Sequence, residues 1–218
     1  MPSAALYPLT LSLAVFLSFL LAAYGWKAVE PLVPAHHKDR SKPGRAQQII
    51  TGLVSAIVAV ACAWQFGATL AAVAALAFCV CLSVLGIIDA HSGFLPDKLT
   101  QPLLWLGLLV NSGLGFSPLS HAVWGAMLGY VSLWLVNAVF HRIAGHPGMG
   151  HGDFKLLAAI GAWLGLTALP LIVLMASSAA LTVVMGLMVC KRWRRDRAMS
   201  FGPFLSSAGC VYLLVFWL

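Results

Sequence analysis

Charge is scarce in this chain, and negative charge scarcest of all. Only 9% of the 218 residues are charged, and the acids number six: Glu30, Asp39, Asp89, Asp97, Asp153 and Asp196. The five cysteines, Cys62, Cys79, Cys81, Cys190 and Cys210, form no CxxC pair, which argues against a zinc module and leaves them as small apolar filler. Long polar stretches are missing too. The longest, "KAVEPLVPAHHKDRSKPGRAQQ" at 27 to 48, holds three prolines and is too short and too charged to bury a core. No soluble domain, low-complexity tract or internal repeat is visible.

Apolar residues fill the space. They make up 61% of the chain, and the mean hydropathy is +0.94, which marks an integral membrane protein. A transmembrane helix needs about 20 mainly apolar residues. Runs of that kind fall at 5 to 26, 47 to 65, 68 to 88, 99 to 114, 119 to 140, 154 to 168, 170 to 190 and 203 to 218, so an all-α polytopic protein of about eight spans is expected. The first run has no basic region before it, which favours a retained span over a cleaved signal.

Alternating these spans puts every Lys and Arg on one side. Lys27, Lys38, Arg40, Lys42 and Arg45 follow the first span, Lys98 the third, Arg142 and Lys155 flank the fifth-to-sixth connection, and Lys191, Arg192, Arg194, Arg195 and Arg197 follow the seventh. By the positive-inside rule that side is cytoplasmic, with both termini periplasmic. The net charge of +7 then reports topology, and a nucleic-acid partner is not expected.

Glu30, Asp39 and Asp196 lie among basic loop residues and are explained by local charge balance. An ionisable group in hydrocarbon costs roughly 2.5 to 3.5 kcal/mol even on the lenient insertion scale, so the other three acids are the informative ones. Asp89 ends the third apolar run and Asp153 begins the sixth. Those runs travel in opposite directions, which brings both acids to the same, cytoplasmic edge. Asp97 opens the fourth span after Pro96 and before Lys98, and a helix N-cap beside a cation explains it. Asp153 alone would also read as an N-cap.

The stretch before Asp153 adds to this. Residues 145 to 153, "GHPGMGHGD", hold four glycines and a proline, so a non-helical turn with access to positive φ is expected. Irregular backbone at membrane depth is tolerated only where protein buries it or water reaches it, which implies a wet cavity. Two carboxyls there suggest an aspartyl pair. Like charges close together cannot both ionise cheaply, so one keeps its proton while the other activates water against a peptide carbonyl.

"GMGHGDFKLLAAIGAWLG" resembles the GxGD motif of intramembrane aspartyl proteases, and "IDAHSGFLPDKLTQPLLWLGLLVN" and "FGPFLSSAG" resemble segments of type IV prepilin peptidases. The likeness covers roughly residues 80 to 218 and implies a GxGD-protease-like helical bundle in the bacterial inner membrane. It implies an aspartic endopeptidase that removes the leader from type IV prepilins or type II secretion pseudopilins at the cytoplasmic face. It also implies that the catalytic acids are Asp89 and Asp153, that Gly150 and Gly152 are the motif glycines, and that Lys155 and Asp97 shape the site.

Many family members carry a zinc-binding cytoplasmic domain with two CxxC pairs and also methylate the new N terminus with S-adenosylmethionine. Only the short basic loop stands at that place here, and His36 and His37 lack metal-ligand spacing, so structural zinc is not expected. The peptidase reaction needs no cofactor, whereas S-adenosylmethionine belongs to methylation if that activity is retained. The expected organisation is a two-span region at 1 to 66 and a six-span protease core at 67 to 218, with prepilins and the bilayer as partners and the oligomeric state open. The alternative is a transporter or channel whose edge carboxylates bind a cation or proton.

Overall fold

Glycine and proline divide the apolar runs, and between these breaks the chain is helical. The computed structural model describes residues 69–113, 115–146, 148–190 and 200–216, together with 57, 60–62 and 64–66. The first expected span, most of the second, the basic loop with His36 and His37, and the cationic run at 191–197 lie outside the described residues. Six α-helices are described in full: α1 (Leu70–Ser92), α2 (Asp97–Gly113), α3 (Leu119–Ala144), α4 (His151–Leu164), α5 (Leu169–Val189) and α6 (Gly202–Val215), with a 3-10 turn at Leu166–Ala168 ahead of α5. Among the described residues no strand occurs.

Three of these segments, Leu70–Ser92, Leu119–Ala144 and Leu166–Val189, are long and apolar enough to cross a membrane. The run expected as the sixth span behaves differently. Its helix, α4, has only 14 residues, about 21 Å at 1.5 Å per residue, against a hydrocarbon core of about 30 Å. Eleven of the fourteen are buried in protein, from Asp153 through Leu164 with only Lys155 less enclosed. A helix apolar all round belongs at the centre of a bundle, and α4 occupies that place between α2, α3 and α6.

Two GxxxG pairs, Gly125/Gly129 on α3 and Gly161/Gly165 at the end of α4, explain how these helices approach so closely. A Cβ on Gly125 would run into the carbonyl oxygen of Gly161, a Cβ on Gly161 would run into that of Gly125, and one on Gly129 would meet the Leu157 carbonyl oxygen at 2.8 Å. The small residues therefore serve contact within the chain. On the other flank Trp163 lies against Gly107 and donates its Nε1–H to the Leu103 carbonyl at 2.8 Å, which fixes α4 to α2.

The end of α4 is also buried, and its last carbonyls need partners that water cannot supply there. Asn111 of α2 provides them: its Nδ2 donates to the Ala162 and Trp163 carbonyls at 2.8 and 2.9 Å, while its Oδ1 accepts the Ser117 amide at 2.9 Å. One side chain thereby joins α2, α4 and the loop into α3.

Candidate functional site

Helix α1 runs further than its apolar run predicts. It continues to Ser92 and stops at Gly93, whose left-handed conformation (φ 62°) lets its amide donate to the Asp89 carbonyl at 2.8 Å. Asp89 thus lies in the last turn of the helix, not at its end. The N terminus of α6 faces it. The Gly202 amide donates to Asp89 Oδ2 at 3.0 Å, and the Ser200 hydroxyl donates to the Asp89 carbonyl oxygen at 2.9 Å. The first amides of a helix have no partner within it and form its positive end, so a carboxylate suits the position.

Asp153 is the third residue of α4, and the N-cap position belongs to Gly150. The expected cap by Asp153 is therefore corrected. A cap sits just before the first helical residue, and the helix has already begun at His151. The side chain turns inward instead. Asp153 is 6% exposed and Asp89 5%, and among the described residues Asp153 Oδ1 has no hydrogen-bond partner. The two carboxyl groups are near enough to interact electrostatically.

Both acids line one cavity of about 940 Å³. The short connection after α1 contributes Gly93, Phe94 and Leu95, the glycine turn contributes residues 148 to 152, and Asp97 and Lys155 lie on its wall. Helix α5 adds Ser177, Ala180, Leu181 and Val184, mostly small or apolar residues at helical spacing. The lining therefore mixes carboxyls and backbone with hydrocarbon.

The glycine turn takes this shape for reasons other than those the sequence suggests. Of its described glycines only Gly145 has a positive φ, 77°, where it caps α3. Gly152 is needed for clearance: a Cβ there would meet the Cβ of Leu95 at 2.7 Å. Leu95 is buried in the turn following α1, so the contact draws the Asp89 segment against the Asp153 segment. At Gly150 an added Cβ would meet nothing closer than Asp153 Oδ2 at 3.9 Å, which leaves the backbone open beside the carboxyl. Asn137 of α3 anchors the turn through its Oδ1, which accepts the Gly148 and Met149 amides, each at 3.0 Å.

Asp97 also differs from expectation. It is the first residue of α2, and the cation beside it is Lys155 of α4, not its neighbour Lys98. Lys155 Nζ donates to both carboxylate oxygens, at 2.6 and 2.8 Å. Adjacent helical residues point in different directions, whereas the α2 and α4 faces meet here. The structure thus brings Asp89, Asp97, Gly150, Gly152, Asp153 and Lys155 onto one cavity and commits Lys155 to Asp97. Among the described residues no cluster of three or more His, Cys, Asp or Glu is arranged to hold a metal.

Most residues that carry this geometry also carry a family likeness: the type IV leader peptidase family matches residues 76–187, just over half of the chain. The chain belongs to that family. Among curated proteins, it is 42% identical over 164 residues to a prepilin leader peptidase/N-methyltransferase of Neisseria gonorrhoeae, covering 75% of this chain and 54% of that protein. A protein of the same name from Dickeya chrysanthemi is 45% identical over 152 residues, 70% of this chain and 53% of its own length. A third, from Stutzerimonas stutzeri, is 39% identical over 189 residues, 87% and 64% of the two chains. The chain spans about half the length of the first of these relatives. No solved structure matches it.

Three contributors escape a reading of side-chain chemistry in this family member. Gly202 acts through its amide, and the available signal is a Gly-Pro pair opening an apolar run, where the first amides lack helical partners. Asn137 and Asn111 are polar residues inside apolar helices, and that misplacement is the signal for both.

Proposed function

We propose that the chain is an intramembrane aspartic endopeptidase that removes the leader peptide from type IV prepilins or pseudopilins, with Asp89 and Asp153 as its catalytic pair. The observation that carries this reading is the sharing of one cavity by two buried carboxyls, neither bound to the cation on the same wall. Family membership supplies the substrate class, and the relatives' names include the same activity.

The chemistry needs one protonated and one ionised acid. The ionised carboxyl takes a proton from water as the water oxygen attacks the scissile carbonyl carbon, and the protonated carboxyl gives its proton to the carbonyl oxygen. A tetrahedral diol results. Collapse breaks the C–N bond, with one proton passing to the departing amine and another returning to the pair. The two acids titrate as a unit, so neither is the permanent base. A peptide within a helix is shielded by its own hydrogen bonds, so the substrate must unwind locally, and the open backbone at Gly150 gives an extended strand room to lie.

We place this core within an eight-span arrangement: a two-span region at 1 to 66, six spans at 67 to 218 with α4 as a short central span enclosed by protein rather than lipid, both termini periplasmic, and the cavity facing the cytoplasm. The one-sided distribution of Lys and Arg supports it. Lys155 and Asp97 shape the site, and Gly150 and Gly152 form its wall. The family match leaves the transporter reading without support. Methylation of the new N terminus would use S-adenosylmethionine as a second substrate.

The test is incubation of the purified chain with a prepilin in detergent micelles, followed by mass analysis. A product shortened by the leader is expected, and an intact prepilin would overturn the reading. The product's mass with and without S-adenosylmethionine decides methylation.

A further inference from the structure

The Asp97–Lys155 ion pair joins the two chain segments that carry the carboxyls. Asp97 lies eight residues beyond Asp89, across the Gly93 turn, and Lys155 lies two residues beyond Asp153 on α4. Both ends of the bridge line the same cavity as the acids. Among the described lining residues, Lys155 is the single Lys or Arg, and it shares the cavity with three carboxyls: Asp89, Asp97 and Asp153. Its ammonium is committed to one of them. It takes Asp97, through both oxygens, while Asp153 Oδ1 stays without a donor.

We propose that Asp97 is a positioning residue that engages the Lys155 ammonium and so keeps it off the Asp89/Asp153 pair, leaving that pair able to hold the proton its chemistry needs. This rests on the endopeptidase reading above. Both members of the bridge are partly exposed, and such pairs add little to stability, so a merely structural clasp is a poor account of a bidentate contact at this place. A free ammonium beside two carboxyls would favour their ionised forms and strip the proton from the pair. A free carboxylate at Asp97 would act in the opposite sense.

Other polar and charged groups belong to the elements around the pair. Helix α1 carries His91 two residues beyond Asp89 in its last turn, α4 brings His151 to the cavity wall, and the α6 side presents the Gly202 amide and the Ser200 hydroxyl. Asp97 and Lys98 begin α2, and the α5 lining is Ser177, Ala180, Leu181 and Val184. Apart from Asp97 itself, all are constant across the substitutions below.

The test measures prepilin cleavage against pH for the full chain and for Asp97→Asn, Lys155→Met and the double variant, with thermal unfolding in parallel. Asp97→Asn frees the ammonium, and its activity profile moves to lower pH by at least about half a unit. Lys155→Met leaves an unpaired carboxylate, and its profile moves to higher pH by a similar amount. The double variant, neutral at both ends, returns the profile to that of the unaltered chain. If either single variant fails to fold, the double variant and the remaining single still form the comparison. Unmoved profiles, with only lower rates or lower unfolding temperatures, would overturn the proposal. An unaltered chain that cleaves no prepilin would instead overturn the endopeptidase reading, and this inference with it.

Discussion

The backbone amide of Gly202 donates to Asp89 Oδ2 at 3.0 Å, so the N terminus of α6 fixes the carboxyl in the last turn of α1. Glycine is required for that approach: a Cβ at 202 would stand 2.5 Å from Oδ2 and 2.9 Å from Cγ of Asp89. Gly202→Ala is expected to push the carboxyl aside and lower kcat by about 10- to 100-fold, the scale of a misplacement near 1 Å. Steady-state cleavage kinetics check this. Ser200→Ala removes only a hydroxyl from the Asp89 carbonyl and should cost less.

Gly152 and Leu95 make a second test. The Gly152→Ala methyl would meet Leu95 Cβ, so the turn carrying Leu95 must move away from α4. A loss of activity with a modest drop in Tm is the expected result. Removing the obstacle should compensate: Leu95→Gly, which lacks the Cβ, combined with Gly152→Ala is expected to recover part of the lost kcat, as contacting residues couple. An additive double variant would remove steric clearance as the reason for this glycine.

Asn111 is tied to the fold, away from the cavity. Asn111→Ala leaves the Ala162 and Trp163 carbonyls without its amide and should destabilise the chain by about 1 to 3 kcal/mol, the cost of buried groups left unpaired. Thermal unfolding in detergent measures it. The folded fraction should cleave at an unchanged rate.

The positions of Asp89 and Asp153 were legible because an acid at the edge of an apolar run is costly and stands out from its surroundings. The two GxxxG pairs announced close packing, although their spacing could not say that Gly125 and Gly161 meet each other. Helix ends were less legible. Asp153 looked like a cap because capping and first-turn acids share residue types, and only the backbone distinguishes Gly150 as the cap position. Lys155 as the partner of Asp97 was hidden, since the contact crosses 58 residues while Lys98 sits next door. The Gly202 donor was hidden for a different reason: it is backbone, which every residue but proline possesses.

If Asp89 and Asp153 act together as proposed, replacing either by its isosteric amide must stop the reaction. Asp89→Asn and Asp153→Asn keep the size of each side chain and remove its ability to exchange a proton. Each is expected to lower prepilin cleavage by at least about 1,000-fold, within the range of general acid and base contributions, with little change in Tm. A folded Asp89→Asn or Asp153→Asn chain that still releases the leader at the unaltered rate would contradict the pairing.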